Sequence, residues 1–240
     1  MRSYLCSIVA LLAMALTASA QQQENLDTVL LGWEKAMTDL RSFAAVVERE
    51  TLDKALQSKD QWKGYAMFMK AAKKDDGSKA RLELYKISSP EIFEKYICDG
   101  KELYEYAPTN KLVRVHKMPQ NGRGVQQESF LSFLFGMSAA QAQGRYDMEV
   151  VFPSPGKIDP HYHYVRVKPR TPQDKSDFKE AQLSLYRANH LPARIWYLQP
   201  NGNEITWDFS KLQIDVQIPE SYFQPALPKD WRAERVPAKN

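Results

Sequence analysis

The stretch IFEKYICDGKELYEYAPTNKLVRVH, Ile92 to His116, holds three short runs rich in aromatic and branched side chains: Ile92 to Cys98, Glu102 to Tyr106 and Lys111 to His116. Between the first two stands Asp99-Gly100, a pair that readily adopts the positive φ of a tight hairpin. Between the second and third stands Pro108-Thr109-Asn110, which is also turn chemistry. The links are too short for a parallel crossover, so the stretch predicts an antiparallel meander.

Towards the N-terminus the same period continues. Lys79 to Ile87 places Ala80, Leu82 and Leu84 on one side and Arg81 and Glu83 on the other, and Trp62 to Ala72 is apolar on both faces. From Ser42 to Asp53, Phe43, Ala45 and Val47 alternate with polar positions that include Glu48 and Glu50. Upstream, Leu26, Val29, Leu30, Trp33, Met37 and Leu40 recur at spacings of three and four, the apolar face of a helix.

Towards the C-terminus, further strands are predicted over Tyr146 to Phe152, His161 to Val167, Ala181 to Arg187, Ala193 to Leu198 and, after Asn201-Gly202, Glu204 to Phe209. The total is ten or eleven strands without βαβ alternation. The expected fold is mainly β with α: one large curved antiparallel sheet, or unclosed β-barrel, capped by helices. One segment interrupts it. After the polar, glycine-bearing Pro119 to Gln127, the residues Phe130, Leu131, Phe133, Leu134, Phe135 and Met137 predict a short helix, a break near Gly136 and a second short helix over Ser138 to Ala142. Its aromatic content exceeds what a surface helix needs, so it is either a core plug or a lid.

Residues 1–20 read as a cleaved secretory signal: Arg2, the apolar run Ile8 to Leu16, and Ala18-Ser19-Ala20 as the cleavage site. Residues 21–240 are then expected to form one exported, soluble domain, and Cys6, ahead of the apolar run, is no acylation site. The full chain has 240 residues, 43% of them hydrophobic and 26% charged, with a net charge of +4 spread along the sequence, which does not suggest a nucleic-acid surface. Of its two cysteines, Cys98 alone remains after cleavage, so no internal disulfide is expected, and its strand-to-turn setting reads as buried and inert.

Several motifs, in order, resemble one family. They are Ser42-Phe43-x-Ala45 after the first helix, Lys79-Ala80-Arg81-Leu82-Glu83-Leu84-Tyr85, Asp99-Gly100-Lys101-x-Leu103-Tyr104-x-Tyr106-x-Pro108, and Ile218-Pro219-Glu220-Ser221-x-Phe223. Together they resemble the LolA-like periplasmic carriers of outer-membrane lipoproteins. The resemblance implies an unclosed barrel whose helix-capped hollow shields the acyl chains of lipoproteins or other lipids. It also implies a periplasmic location, and partners in an inner-membrane release complex and an outer-membrane acceptor. On that reading Phe43, Ala45, Val47, Phe68, Ala80, Leu82, Leu84, Tyr104 and Tyr106 are candidates for the lipid-binding wall, and Phe130, Leu131, Leu134 and Phe135 for the lid. A packed core has the same pattern, so core and cavity wall stay open for these positions.

Two departures stand out. The family's Arg-Pro step after the second strand is replaced by Ala71-Ala72, and the expected aromatic wall positions of the third strand are Ala80 and Leu82. Arg81 matches the family's strand arginine but faces away from Leu82, as a surface ion-pair partner. Chemistry is not expected. His161-x-His163 lacks a third ligand at recognisable spacing among the four histidines, and no nucleophile elbow, phosphate loop, dinucleotide fingerprint or zinc-protease motif occurs. No cofactor, metal or catalytic residue is predicted. A lipid carrier, a sensor or adaptor binding lipid or protein without transporting it, and an unmarked secreted hydrolase remain as function classes, with the carrier favoured and an enzyme disfavoured.

Overall fold

The computed structural model describes residues 25–72, 77–118, 137–152 and 159–237. Helix α1 (Leu26–Asp39) comes first, followed by β1 (Ser42–Asp53), β2 (Ser58–Met69), β3 (Lys79–Lys86), β4 (Ser89–Cys98), β5 (Glu102–Ala107) and β6 (Leu112–Lys117). Then come α2 (Ala139–Arg145), β7 (Tyr146–Val150), β8 (Tyr162–Pro169), α3 (Pro172–Asp177), β9 (Glu180–Tyr186), β10 (Pro192–Leu198), β11 (Glu204–Ile214) and β12 (Arg232–Val236). The twelve strands form one sheet in the order β12-β6-β5-β4-β3-β2-β1-β11-β10-β9-β8-β7. The first six strands step outward from β1 in one direction, and β7 to β11 return so that β11 pairs with the free side of β1. Every neighbouring pair is antiparallel except β12 with β6, and β12 and β7 remain as edges, so the sheet does not close.

Local chemistry accounts for the element ends. The Asn25 side chain accepts the Asp27 N–H at 2.9 Å and caps α1. Ser138 and Gln141 form a reciprocal capping box on α2, and Thr171 accepts the Asp174 N–H at 3.1 Å to open α3, with Pro172 in its first turn. In the expected hairpin, Asp99 accepts the N–H groups of Lys101 and Glu102 at 2.8 and 2.9 Å, and Gly100 has φ +100°. Gly64 of β2 lies so close to β3 that a Cβ would fall 1.8 Å from the Glu83 carbonyl oxygen, so no side chain fits there.

The strands differ from the sequence reading where pairing overrides composition. Strand β2 begins at Ser58 rather than Trp62, because the turn after Asp53 brings Ser58 opposite it. Strand β11 continues to Ile214, held by Phe43 of β1. The charged run Arg232–Val236 has no alternation that marks a strand, and it pairs in parallel with β6, with Arg235 bonded to Glu102 of β5. Helix α3 occupies part of the polar stretch Lys168 to Lys179 expected to be loop. The second of the two predicted short helices is α2, and the first lies outside the described residues.

Strand alternation sorts the core into two layers. On the inner face, Val29, Leu30 and Trp33 of α1 pack with Phe43, Ala45, Val47, Ala66, Leu84, Val165, Val167, Leu183, Ile195 and Trp207. On the outer face, Ile97, Tyr106, Val113 and Val115 form a smaller cluster with Phe93, Tyr104 and Trp231. The C-terminal segment covers that second cluster. Phe223 is 1% exposed, Trp231 stacks on Phe93 at 6.3 Å, and the Tyr106 hydroxyl donates to the Ala226 carbonyl at 2.9 Å while accepting the Ala226 N–H at 3.1 Å.

Candidate functional site

The inner face carries most of the wall positions read from the sequence. Register places Phe43 opposite Phe68 and Phe68 opposite Ala80; Ala45 opposite Ala66 and Ala66 opposite Leu82; and Val47 opposite Gly64 and Gly64 opposite Leu84. Phe43, Ala45, Val47, Phe68, Ala80, Leu82 and Leu84 therefore share one surface across β1, β2 and β3. The rings of Phe43 and Phe68 stack at 5.8 Å. Val47 and Leu84 are fully enclosed, whereas Phe68, Ala80 and Leu82 are half-buried. The same surface continues through the half-buried Tyr96 and Leu103, since Leu82 faces Tyr96 and Cys98 faces Leu103.

Tyr104 and Tyr106 do not belong to this surface. Tyr104 pairs with Ile97 and Tyr106 with Lys95, which puts both on the outer face, under the C-terminal segment. Alternation explains the displacement: the stretch Leu103-Tyr104-Glu105-Tyr106 gives the inner face Leu103 and Glu105, and the more aromatic side of β5 faces out. The Glu102 carboxylate accepts the Tyr104 hydroxyl at 2.8 Å; burial and that carboxylate hold the phenol well above its usual range. Phe130, Leu131, Leu134 and Phe135 lie outside the described residues.

Four residues that sequence reasoning passed over define the other end of the inner face. Arg49 follows Val47 on the same side of β1, so its position was readable from the alternation. Its guanidinium makes a bidentate pair with Glu94 at 2.6 and 2.7 Å, and its carbon lies 4.7 Å from the ring centre of Trp62 and 5.2 Å from that of Trp207. Glu94 stands opposite Leu84 and reaches across β3 and β2 to Arg49, over the position where Gly64 has no side chain. Farther along, Glu105 takes Arg114 at 2.9 Å and His116 at 3.1 Å. Burial first, then the carboxylates of Glu94 and Glu105, raises the Tyr96 pKa. The inner face thus runs from a purely apolar end at Phe43 and Phe68 to an end where paired charges and aromatic rings meet.

Arg81 is paired as expected but is not at the surface. It bonds Glu83 at 2.5 Å and donates to the Tyr222 carbonyl at 2.9 Å, so it fastens the C-terminal segment to β3. Glu83 is 5% exposed and also accepts the hydroxyls of Tyr65 and Tyr85. Burial alone would raise its pKa, and the three donors outweigh it and lower it. The buried Cys98 thiol, raised by desolvation, lies 3.6 Å from the Ser78 carbonyl. His163 stacks on His190 at 5.0 Å rather than pairing with His161, and no group of three or more metal-ligating side chains occurs among the described residues.

No protein-family model and no curated protein matches the chain. Solved structures do. An uncharacterized conserved protein from Thermus thermophilus superposes with a TM-score of 0.51 at 11% identity, over 87% of this chain and 98% of its own. The Pseudomonas aeruginosa MucA/MucB complex matches at a TM-score of 0.48 and 14% identity over 83% of this chain, which spans 60% of the matched chain's length. A LolA superfamily protein from Nitrosomonas europaea matches at 0.35 and 12%, over 82% of this chain and 96% of its own. At these identities the likeness is one of fold, and the Thermus thermophilus protein shares it over nearly its whole length. The unclosed antiparallel sheet, with its first helix against the inner face, is the architecture that the ordered motifs imply. No helix of the described residues is long and apolar enough to cross a membrane.

Proposed function

We propose that the protein is an exported, periplasmic carrier whose inner face shields the acyl chains of lipoproteins or other lipids while they move between membranes. The observation that carries the reading is the graded inner face. Half-buried Phe68, Leu82 and Leu103 continue the enclosed apolar surface of Phe43, Val47 and Leu84, and the Arg49–Glu94 pair with Trp62 and Trp207 lies at its other end. An acyl chain attached to a polar head has the same polarity profile. Each methylene withdrawn from water contributes about 0.8 kcal/mol, so an aliphatic and aromatic surface supplies the affinity without hydrogen bonds. Lipoproteins are the acylated cargo, an inner-membrane complex the donor and an outer-membrane protein the acceptor. The chain works by binding rather than catalysis.

A second reading, a sensor or adaptor that binds lipid or protein without transport, has its own support. Trp33 of α1 with Val165, Leu183 and Ile195 fills the inner face of the β8 to β11 half at 0 to 1% exposure, which leaves less of the face for cargo. Native mass spectrometry of gently purified protein and displacement of a fluorescent fatty-acid probe separate the two. A carrier retains acylated cargo or binds the probe, and Leu82→Glu, which puts a charge on the half-buried apolar surface, abolishes that binding with the melting transition retained. A protein with no bound cargo and no probe binding refutes the carrier.

A further inference from the structure

The outer face of β9, β10 and β11 holds a hollow of about 210 Å³ lined by Gln182, Ser184, Arg194, Trp196 and Thr206. Register creates it. Gln182, Trp196 and Thr206 stand in one cross-strand row, and Ser184, Arg194 and Asp208 in the next. The short side chains of Ser184 and Thr206 leave a gap beside the long ones of Trp196 and Arg194. The opposite, inner face of the same strands is closed by Leu183, Ile195 and Trp207, so the hollow has a firm floor.

The charges around it are already matched. Arg194 donates to Asp208 at 2.6 and 3.2 Å, the Trp196 indole N–H donates to Glu204 at 3.1 Å, and the neighbouring Arg166 pairs with Glu149 and Glu180. What remains is neutral. The Ser184 and Thr206 hydroxyls and the Gln182 amide make no side-chain hydrogen bond within the described residues, and Ser184 is only 7% exposed, with the hollow above it. These groups both donate and accept, and they surround an indole whose N–H is engaged and whose ring is half-buried.

We propose that this hollow binds one pyranose ring of a neutral glycan. Charge balance excludes a preference for an anion or cation. Convergent hydroxyl and amide groups suit a ligand rich in hydroxyls, and the indole suits the apolar C–H face that a sugar ring also presents. The hollow, about 210 Å³ on one face of three strands, suits a single sugar ring rather than an acyl chain. Tyr164, opposite Ser184, and the Tyr162–Tyr186 pair at 5.2 Å continue the aromatic surface beyond the hollow, so a ring within a longer glycan gains contacts that a free monosaccharide lacks. The site stands on the face away from the acyl surface and does not depend on the carrier reading.

The test is titration of the full mature chain with glucose, N-acetylglucosamine, maltotriose, chitotriose and, as the charged counterpart, glucuronate, followed by the indole N–H resonances and by calorimetry. At least one neutral monosaccharide is expected to bind with a Kd of roughly 1–10 mM and to shift the resonance that Trp196→Phe removes, with its trisaccharide tighter. Gln182→Leu, a change at a half-exposed position that leaves the core intact, is expected to weaken binding about three- to tenfold, the loss of one hydrogen bond. Trp196→Ala abolishes it, with melting curves as the control for folding. The proposal is overturned if no neutral sugar shifts the Trp196 resonance, if glucuronate binds more tightly than glucose, or if binding survives both Gln182→Leu and Trp196→Ala.

Discussion

Asp174 shows how much one side chain contributes when it is buried with its partners. It is 1% exposed, accepts Arg145 Nε at 2.8 Å and the Thr171 hydroxyl at 2.7 Å, and so joins α2, α3 and the cap between them. Burial alone would raise its pKa, but the hydrogen bonds from Arg145 and Thr171 prevail and lower it. A lowered carboxylate stabilises the fold above its unfolded pKa of about 3.9, and the contribution disappears as pH falls through the lower folded value. Asp174→Asn leaves Arg145 without its carboxylate and is expected to cost about 3 kcal/mol at pH 7 in urea unfolding. The gap between the two proteins narrows as the pH drops below about 4, because protonation removes from the native protein what the substitution has already removed. A gap that is flat from pH 7 to pH 2 would refute this account of Asp174.

Single elements were legible in the sequence to the extent that their side chains alternate. The meander from Ile92 to His116 and the face shared by Phe43, Ala45 and Val47 follow from period two and turn chemistry, both local properties. Strand β12 and the Glu94 bridge to Arg49 were not legible, because each depends on which strands become neighbours, and nothing near Arg232 or Glu94 in sequence carries that information. Tyr104 and Tyr106 failed for a related reason: their aromatic character suggested the inner wall, while the register of β5 on β4 sent them outward, where the C-terminal segment meets them. The segment's anchor is Trp231, packed on Phe93 and Tyr106. Trp231→Ala is expected to destabilise the protein by about 2 kcal/mol, below the roughly 3–5 kcal/mol of a fully enclosed tryptophan because Trp231 is only half-buried. Amide exchange locates the effect: protection falls first in β12 and β6, while β1 and β11 keep theirs.

For the molecule as a whole, the central question is how the two halves of one sheet divide their work. The β8 to β11 half is closed on its inner face by α1, with Trp33, Ile195 and Val165 at 0 to 1% exposure, and has the character of a rigid core. The β2 to β5 half keeps Phe68, Leu82, Tyr96 and Leu103 half-buried, beside a paired charge held between two tryptophans. A carrier needs both properties, a frame that stays folded when empty and a surface that releases what it covers. Ligand linkage makes this measurable. An acyl ligand that binds the native state alone, at about a hundred times its Kd, stabilises by about 2.7 kcal/mol. For a domain of this size that raises the melting temperature by roughly 5–10 °C. The fatty-acid probe is expected to produce that rise in the native protein and none in Leu82→Glu, whereas Trp196→Ala, on the far face, retains it in full. Equal rises in the native protein and in Leu82→Glu would place the ligand elsewhere and remove the graded inner face as its site.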